Sequence, residues 1–146
     1  MKKLVSLLAA AAVAALALSA LSGASTKSTI WTAALSSGQE VPKQVVKMAA
    51  AHGQFKGTLT GNKLKWKLTY AQLTGPAMAA HIHLAAKGKS GNVVVPLCPP
   101  GCKSGVSGTA TITPKLMTAF AKHLLYVNVH TAKNPAGEIR GQLSQG

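Results

Sequence analysis

Between Lys63 and Tyr70 the chain alternates without a break. Leu64, Trp66, Leu68 and Tyr70 fall in one set, and Lys63, Lys65, Lys67 and Thr69 in the other. Side chains two apart share a face of a strand, whereas on a helix they diverge by about 200°. The segment therefore reads as a strand with one apolar face buried and one lysine face in water, the signature of an antiparallel sheet. The preceding segment, Gly53 to Thr60, alternates in the same way, with Phe55, Gly57 and Leu59 set against Gln54, Lys56 and Thr58. Gly61-Asn62 between them is a hairpin signal.

Other short runs follow the pattern. Thr29 to Leu35, Met78 to Leu84, Asn92 to Leu97, Val106 to Thr113, Leu125 to Thr131 and Glu138 to Leu143 all read as strands. Ser36 to Gln44 is a turn-rich link, and Val45 to Ala51 fits either a loop or a short helical turn. Thr113-Pro114 has the form of an N-cap and first helical residue. It opens one helix over Lys115 to His123, with Leu116, Met117, Phe120 and Leu124 at core spacing. Many short strands, frequent Gly/Pro turns and a single short helix predict an all-β fold, an antiparallel β-sandwich.

The N-terminus reads differently. Met1-Lys2-Lys3 precedes an apolar or small-residue run from Leu4 to Ala20, and small residues follow at Ser22 to Ser25. This is the three-part form of a secretory signal peptide over 1–24, with cleavage expected after residues 20–25. No second apolar run reaches spanning length, so no transmembrane segment is expected in the mature chain. Its removal leaves about 122 residues, one small domain over 29–146. A secreted, periplasmic or cell-envelope location follows.

Cys98 and Cys102 enclose Pro-Pro-Gly. In an exported chain they are expected to form one disulfide, worth about 2 kcal/mol in the chain-entropy model.

Charge narrows the chemistry further. Sixteen Lys and Arg face two acids, Glu40 and Glu138, and there is no Asp. That excess favours an anionic partner such as an envelope polymer or an acidic protein. Nucleic acid is not expected: export argues against it, and no basic helix or aromatic ladder is present. Without Asp no Ser-His-Asp triad can be drawn, and calcium loops lack their carboxylates. Glu40 and Glu138 are expected to serve as structural partners of Arg140 or a lysine, or to accept from an imidazole N–H, rather than as general acids.

His81 and His83, two apart in Ala80-His81-Ile82-His83, share a strand face, and His130 closes the alternating run Tyr126-Val127-Asn128-Val129-His130. If the two strands are neighbours, three imidazoles meet. Imidazoles suit copper first and zinc second among available ions. The alternative is a structural role, with the rings bonded to nearby backbone or to the Glu138 and Arg140 region.

Several separated motifs carry a family resemblance. They are Gly38-Gln39-Glu40-Val41-Pro42, Leu73-Thr74-Gly75-Pro76, Ala79-Ala80-His81-Ile82-His83, Val94-Val95-Pro96-Leu97, Leu125 to Thr131, Asn134-Pro135 and Gly137-Glu138-Ile139-Arg140-Gly141-Gln142-Leu143. In order and spacing they resemble the CHRD domain, first named in chordin, over nearly all of Ile30 to Leu143. The resemblance implies an immunoglobulin-like β-sandwich and no settled enzymatic activity. The His-x-His plus distant His layout is also similar to the copper ligands of copper/zinc superoxide dismutase, another β-sandwich. That family's zinc half needs an Asp, and its fourth copper ligand would have to be His52 or His123, neither in a matching motif. A dismutase-like oxidoreductase is accordingly disfavoured against a non-enzymatic module.

Overall fold

The computed structural model describes residues 26–146; the expected signal peptide lies outside the described residues. Nine strands and one helix follow in chain order: β1 (Ser28–Ser36), β2 (His52–Thr60), β3 (Lys63–Ala71), β4 (Ala77–Leu84), β5 (Asn92–Cys98), β6 (Val106–Thr111), α1 (Pro114–Ala121), β7 (Leu125–Thr131), β8 (Ile139–Gln142) and β9 (Ser144–Gln145). A short 3₁₀ turn at Ser37–Gln39 follows β1. The stretch from Val45 to Met48 joins neither a strand nor a helix.

The expected all-β fold with one short helix is present. All pairings are antiparallel, in the order β5-β4-β7-β8-β1-β2-β3-β6. The halves β5-β4-β7-β8 and β1-β2-β3-β6 are linked through the register pair Ser36↔Arg140. Their buried side chains merge into one core, and β5 and β6 approach each other, so the sheet is nearly closed. β9 pairs with β1 in the register that Ser36↔Arg140 sets, through Trp31↔Gln145 and Thr32↔Ser144. Residues 139–145 thus run along one edge of β1 as an interrupted strand. A Cβ at Gly141 would stand 2.5 Å from the Ala34 carbonyl oxygen, so glycine permits this close approach.

Hydrophobic alternation places the layers. In β3, Leu64, Trp66 and Leu68 are buried while Lys63, Lys65 and Lys67 are exposed. The two-residue Gly61-Asn62 turn sets the β2–β3 register, which puts Phe55 opposite Leu68 and Leu59 opposite Leu64. On the helix, Leu116, Ala119 and Phe120 face the core, and Phe120 packs on Trp31 with ring centroids 5.0 Å apart.

The Thr113 side chain caps the helix start by accepting from the Leu116 N–H. The helix ends two residues before the expected His123. That residue adopts φ 54°, a left-handed conformation, beyond the Lys122 cap, and its ring lies 5.6 Å from that of Trp31. His123 is therefore outside the last helical turn.

Candidate metal centre

β7 is buried on both faces over most of its length: Val127 and Val129 lie in the core, and on the other face Arg140 lies over Tyr126 and Glu40 meets Asn128. The β4–β7 register pairs Ala79 with His130, His81 with Asn128 and His83 with Tyr126. Strand periodicity puts all six on one face, opposite the core-facing Ala80, Ile82, Val127 and Val129. The result is a triangle of imidazoles. Ring centroids are 5.6 Å apart for His81–His83, 5.0 Å for His81–His130 and 5.8 Å for His83–His130. One nitrogen from each ring lies within 4.8 Å of the others, so the three could hold a metal ion.

Hydrogen bonds set the ring orientations. His83 Nδ1 is 2.9 Å from the Gly91 carbonyl oxygen, and His130 Nδ1 is 3.0 Å from that of Pro135. A carbonyl only accepts, so in both rings Nδ1 carries the proton and Nε2 keeps its lone pair. His130 Nε2 lies 3.1 Å from His81 Nδ1, which therefore donates to it. His83 Nε2 is buried without a partner. Carbonyls that hold the proton on the outer nitrogen, so that the inner one keeps its lone pair, are the usual support of metal-binding imidazoles.

Electrostatics keep the rings neutral, the form that ligates metals. Burial pushes the His130 imidazole down to about 4, against its bond to Pro135 and with help from His81 and His83. Burial also lowers His81, with His83 adding to it. His83 is lowered by burial and by the Arg140 charge, against its bond to Gly91.

Nitrogens bound about 2 Å from one tetrahedral ion stand roughly 3.3 Å apart, so a pair 4.8 Å apart must draw in by about 1.5 Å to ligate. Cys98 and Cys102 are joined as a disulfide and supply no thiolate. His52 and His123 lie outside the group.

The three charged residues singled out from sequence are all buried, Arg140 on β8 and the two acids in the segments flanking β1 and β8. Glu138 is fully buried, and four donors surround its carboxylate: the Thr74 N–H at 2.5 Å, the Thr74 hydroxyl at 2.5 Å, the Thr131 hydroxyl at 2.5 Å and Asn134 Nδ2 at 3.1 Å. Burial raises this carboxyl, but the bonds from Thr131, Thr74 and Asn134 outweigh it and hold it below the usual range. Glu40 accepts from Asn128 Nδ2 at 2.7 Å. Burial pushes its carboxyl up to about 8, against the Arg140 charge and the Asn128 amide.

Arg140 lies over the Tyr126 ring, its guanidinium carbon 3.5 Å from the centroid, and neither terminal nitrogen has a hydrogen-bond partner. Neither acid hydrogen-bonds Arg140, and neither accepts from an imidazole; main-chain carbonyls do that instead. Sequence reasoning did not find Thr74, Thr131, Asn134, Asn128 or the carbonyls of Gly91 and Pro135. The turn residues Asn134-Pro135 and the polar Asn128 within an otherwise apolar strand were the available signals.

Among the described residues no helix is long and apolar enough to cross a membrane. No curated protein and no solved structure matches the chain. The CHRD domain family matches residues 31–143, a span that contains all three histidines, both acids, Arg140 and the disulfide. The chain belongs to the CHRD domain family.

Proposed function

We propose that this chain is an exported, non-enzymatic CHRD module that holds a copper-type ion through His81, His83 and His130. One observation carries the reading: three neutral imidazoles converge, with two outer nitrogens already fastened to carbonyls. An all-nitrogen donor set fits copper best, with zinc below it in the affinity order. When bound, the ion would be a charged anchor at the β4–β7 face. The Cys98–Cys102 disulfide supports export to an oxidising compartment, as does the signal-like N-terminus.

The test is titration of metal-free protein with Cu(II) and Zn(II), read by calorimetry and by electron paramagnetic resonance for copper. One ion per chain at micromolar affinity or better, lost on alanine substitution of all three histidines, supports the reading. Weaker binding, or binding indifferent to those substitutions, rejects it.

A second reading is favoured by the outer face of β2 and β3. There Lys56, Lys65 and Lys67, with Gln54, Thr58 and Thr69, line a groove of about 470 Å³. It is the docking of this face on an anionic envelope polymer. Retention of the protein on an acidic polysaccharide resin should fall steeply with salt. Retention indifferent to salt removes this reading.

A further inference from the structure

Arg140 is 2 % exposed and forms part of the wall of a cavity of about 300 Å³. The other walls come from the loop at Gly38–Lys43, the turn at Lys87-Gly88, and Gln142. A guanidinium has five donors and no way to shed its charge, so burying one without acceptors costs several kcal/mol. Here both terminal nitrogens are buried and unbonded.

The stacking on Tyr126 holds the guanidinium plane in place but satisfies no N–H. The nearest acid does not repair the deficit. Asn128 fastens the Glu40 carboxyl, and burial keeps it protonated at neutral pH. Lys43 and Lys87, both exposed, add positive charge at the rim.

Gln142 gives the cavity a second demand of opposite kind. Its Nε2 donates to the carbonyl oxygens of Ala85 at 3.1 Å and His123 at 3.0 Å, which fixes the amide. Its Oε1 is then left buried with no donor. Two residues of the cavity wall thus carry unmet demands, Arg140 for acceptors and Gln142 for a donor.

We infer that this cavity is a binding site for a small hydroxylated oxyanion, its carboxylate or phosphate group taken by the Arg140 guanidinium and a hydroxyl donated to Gln142 Oε1. Sugar acids, hydroxy acids and sugar phosphates share that chemistry, and the volume is at the small end of ligand sites. A planar guanidinium takes two oxygens of such a group at once, which a lysine ammonium cannot imitate. The site is separate from the histidine cluster and does not depend on metal.

The test is nuclear magnetic resonance titration of the metal-free protein with glucuronate, glucose 6-phosphate, inorganic phosphate and glucose. Saturable shifts at the amides of Gly38, Val41, Gly88 and Gln142 with glucuronate or glucose 6-phosphate, and none with glucose, support the site. The tighter of the two names the oxyanion. Inorganic phosphate, which lacks the hydroxyl, should bind more weakly than glucose 6-phosphate.

Arg140→Lys should weaken binding at least tenfold. The double variant Lys43→Gln/Lys87→Gln touches only exposed side chains, and it should weaken binding severalfold with unchanged melting temperature. It decides the matter if Arg140→Lys does not fold. No saturable shift from either hydroxylated oxyanion, shifts confined to the β2–β3 lysine face, or equal binding by the folded variants overturns the site.

Discussion

The His83 imidazole stacks on the Tyr126 ring, with centroids 4.8 Å apart and 10° between the planes. β4 and β8 flank β7, so Arg140 meets the same ring from the β8 side at 3.5 Å. One aromatic ring therefore separates the imidazole triangle from the buried guanidinium. Its hydroxyl accepts from the Gly91 N–H at 3.2 Å, beside the carbonyl that anchors His83. The hydroxyl also donates to the Gly91 carbonyl oxygen at 3.5 Å. Tyr126→Phe removes only these two bonds and should cost about 1 kcal/mol. Tyr126→Ala also removes the packing and the cation–π contact, and should cost roughly 3–5 kcal/mol. Urea denaturation of both variants reads the difference; equal losses would mean that the ring's stacking contributes nothing.

Glu138 accepts from Thr74 across 64 residues and from Thr131 and Asn134 locally, so it ties the β3–β4 loop to the β7–β8 turn. Its folded carboxyl titrates below the ordinary 4.5, so its contribution is present above 4.5 and is lost as pH falls through the lower folded value. Glu138→Gln replaces one acceptor oxygen with a donor that faces other donors. It should cost on the order of 3 kcal/mol at pH 7, with a smaller deficit in acid where the wild-type carboxyl is itself protonated. Denaturation at pH 7 and at pH 3 checks both the size and the direction.

Local patterns were legible in the sequence because they repeat over a few residues. The Lys63 to Tyr70 alternation located β3, and Thr113-Pro114 located the helix start. The His-x-His spacing put two rings on one face. Register is different: it depends on which strands meet, and alternation alone does not encode that. The 3.1 Å approach of His81 to His130 depends on Ala79↔His130 pairing. The partners of Glu138 lie partly in a distant loop, which strand periodicity cannot reveal. The alternation of β7 put Tyr126, Asn128 and His130 on one face but did not say what lies over it, and Tyr126 and Asn128 are buried there. They are covered because Glu40 and Arg140 converge there, an arrangement set by the return of β8 along β1.

Gly137 adopts φ 140°, and a Cβ there would lie 2.5 Å from Asn128 Nδ2 and 2.6 Å from Glu40 Oε2. Alanine must therefore strain the turn and push apart the Asn128–Glu40 hydrogen bond at once. Gly137→Ala should destabilise by roughly 2–4 kcal/mol, well beyond the usual cost of a surface glycine change. Thermal unfolding compared with Gly38→Ala, where an added Cβ meets nothing within 4 Å, isolates the crowding. Equal melting temperatures for the two variants would contradict the close approach.

The buried acid and the buried imidazoles impose opposite pH slopes on the metal-free protein. Glu40 has a folded value of about 8 against an ordinary 4.5, so the folded state holds a proton that the unfolded chain has released. Its contribution is full below 4.5 and is lost as pH rises through 8. The three histidines act the other way: burial lowers them from 6.5, so the unfolded chain binds their protons first and acid costs stability.

Below pH 6.5 three groups oppose one, and between 6.5 and 8 Glu40 acts nearly alone. Stability should therefore peak near pH 6.5 and fall on the alkaline side by at most about 1.4 kcal/mol per pH unit. Glu40→Gln keeps a neutral side chain beside Asn128, so it should flatten the alkaline limb and leave the acid limb in place. Urea midpoints measured from pH 5 to pH 9 test this; an alkaline limb that persists in Glu40→Gln would assign it to another group.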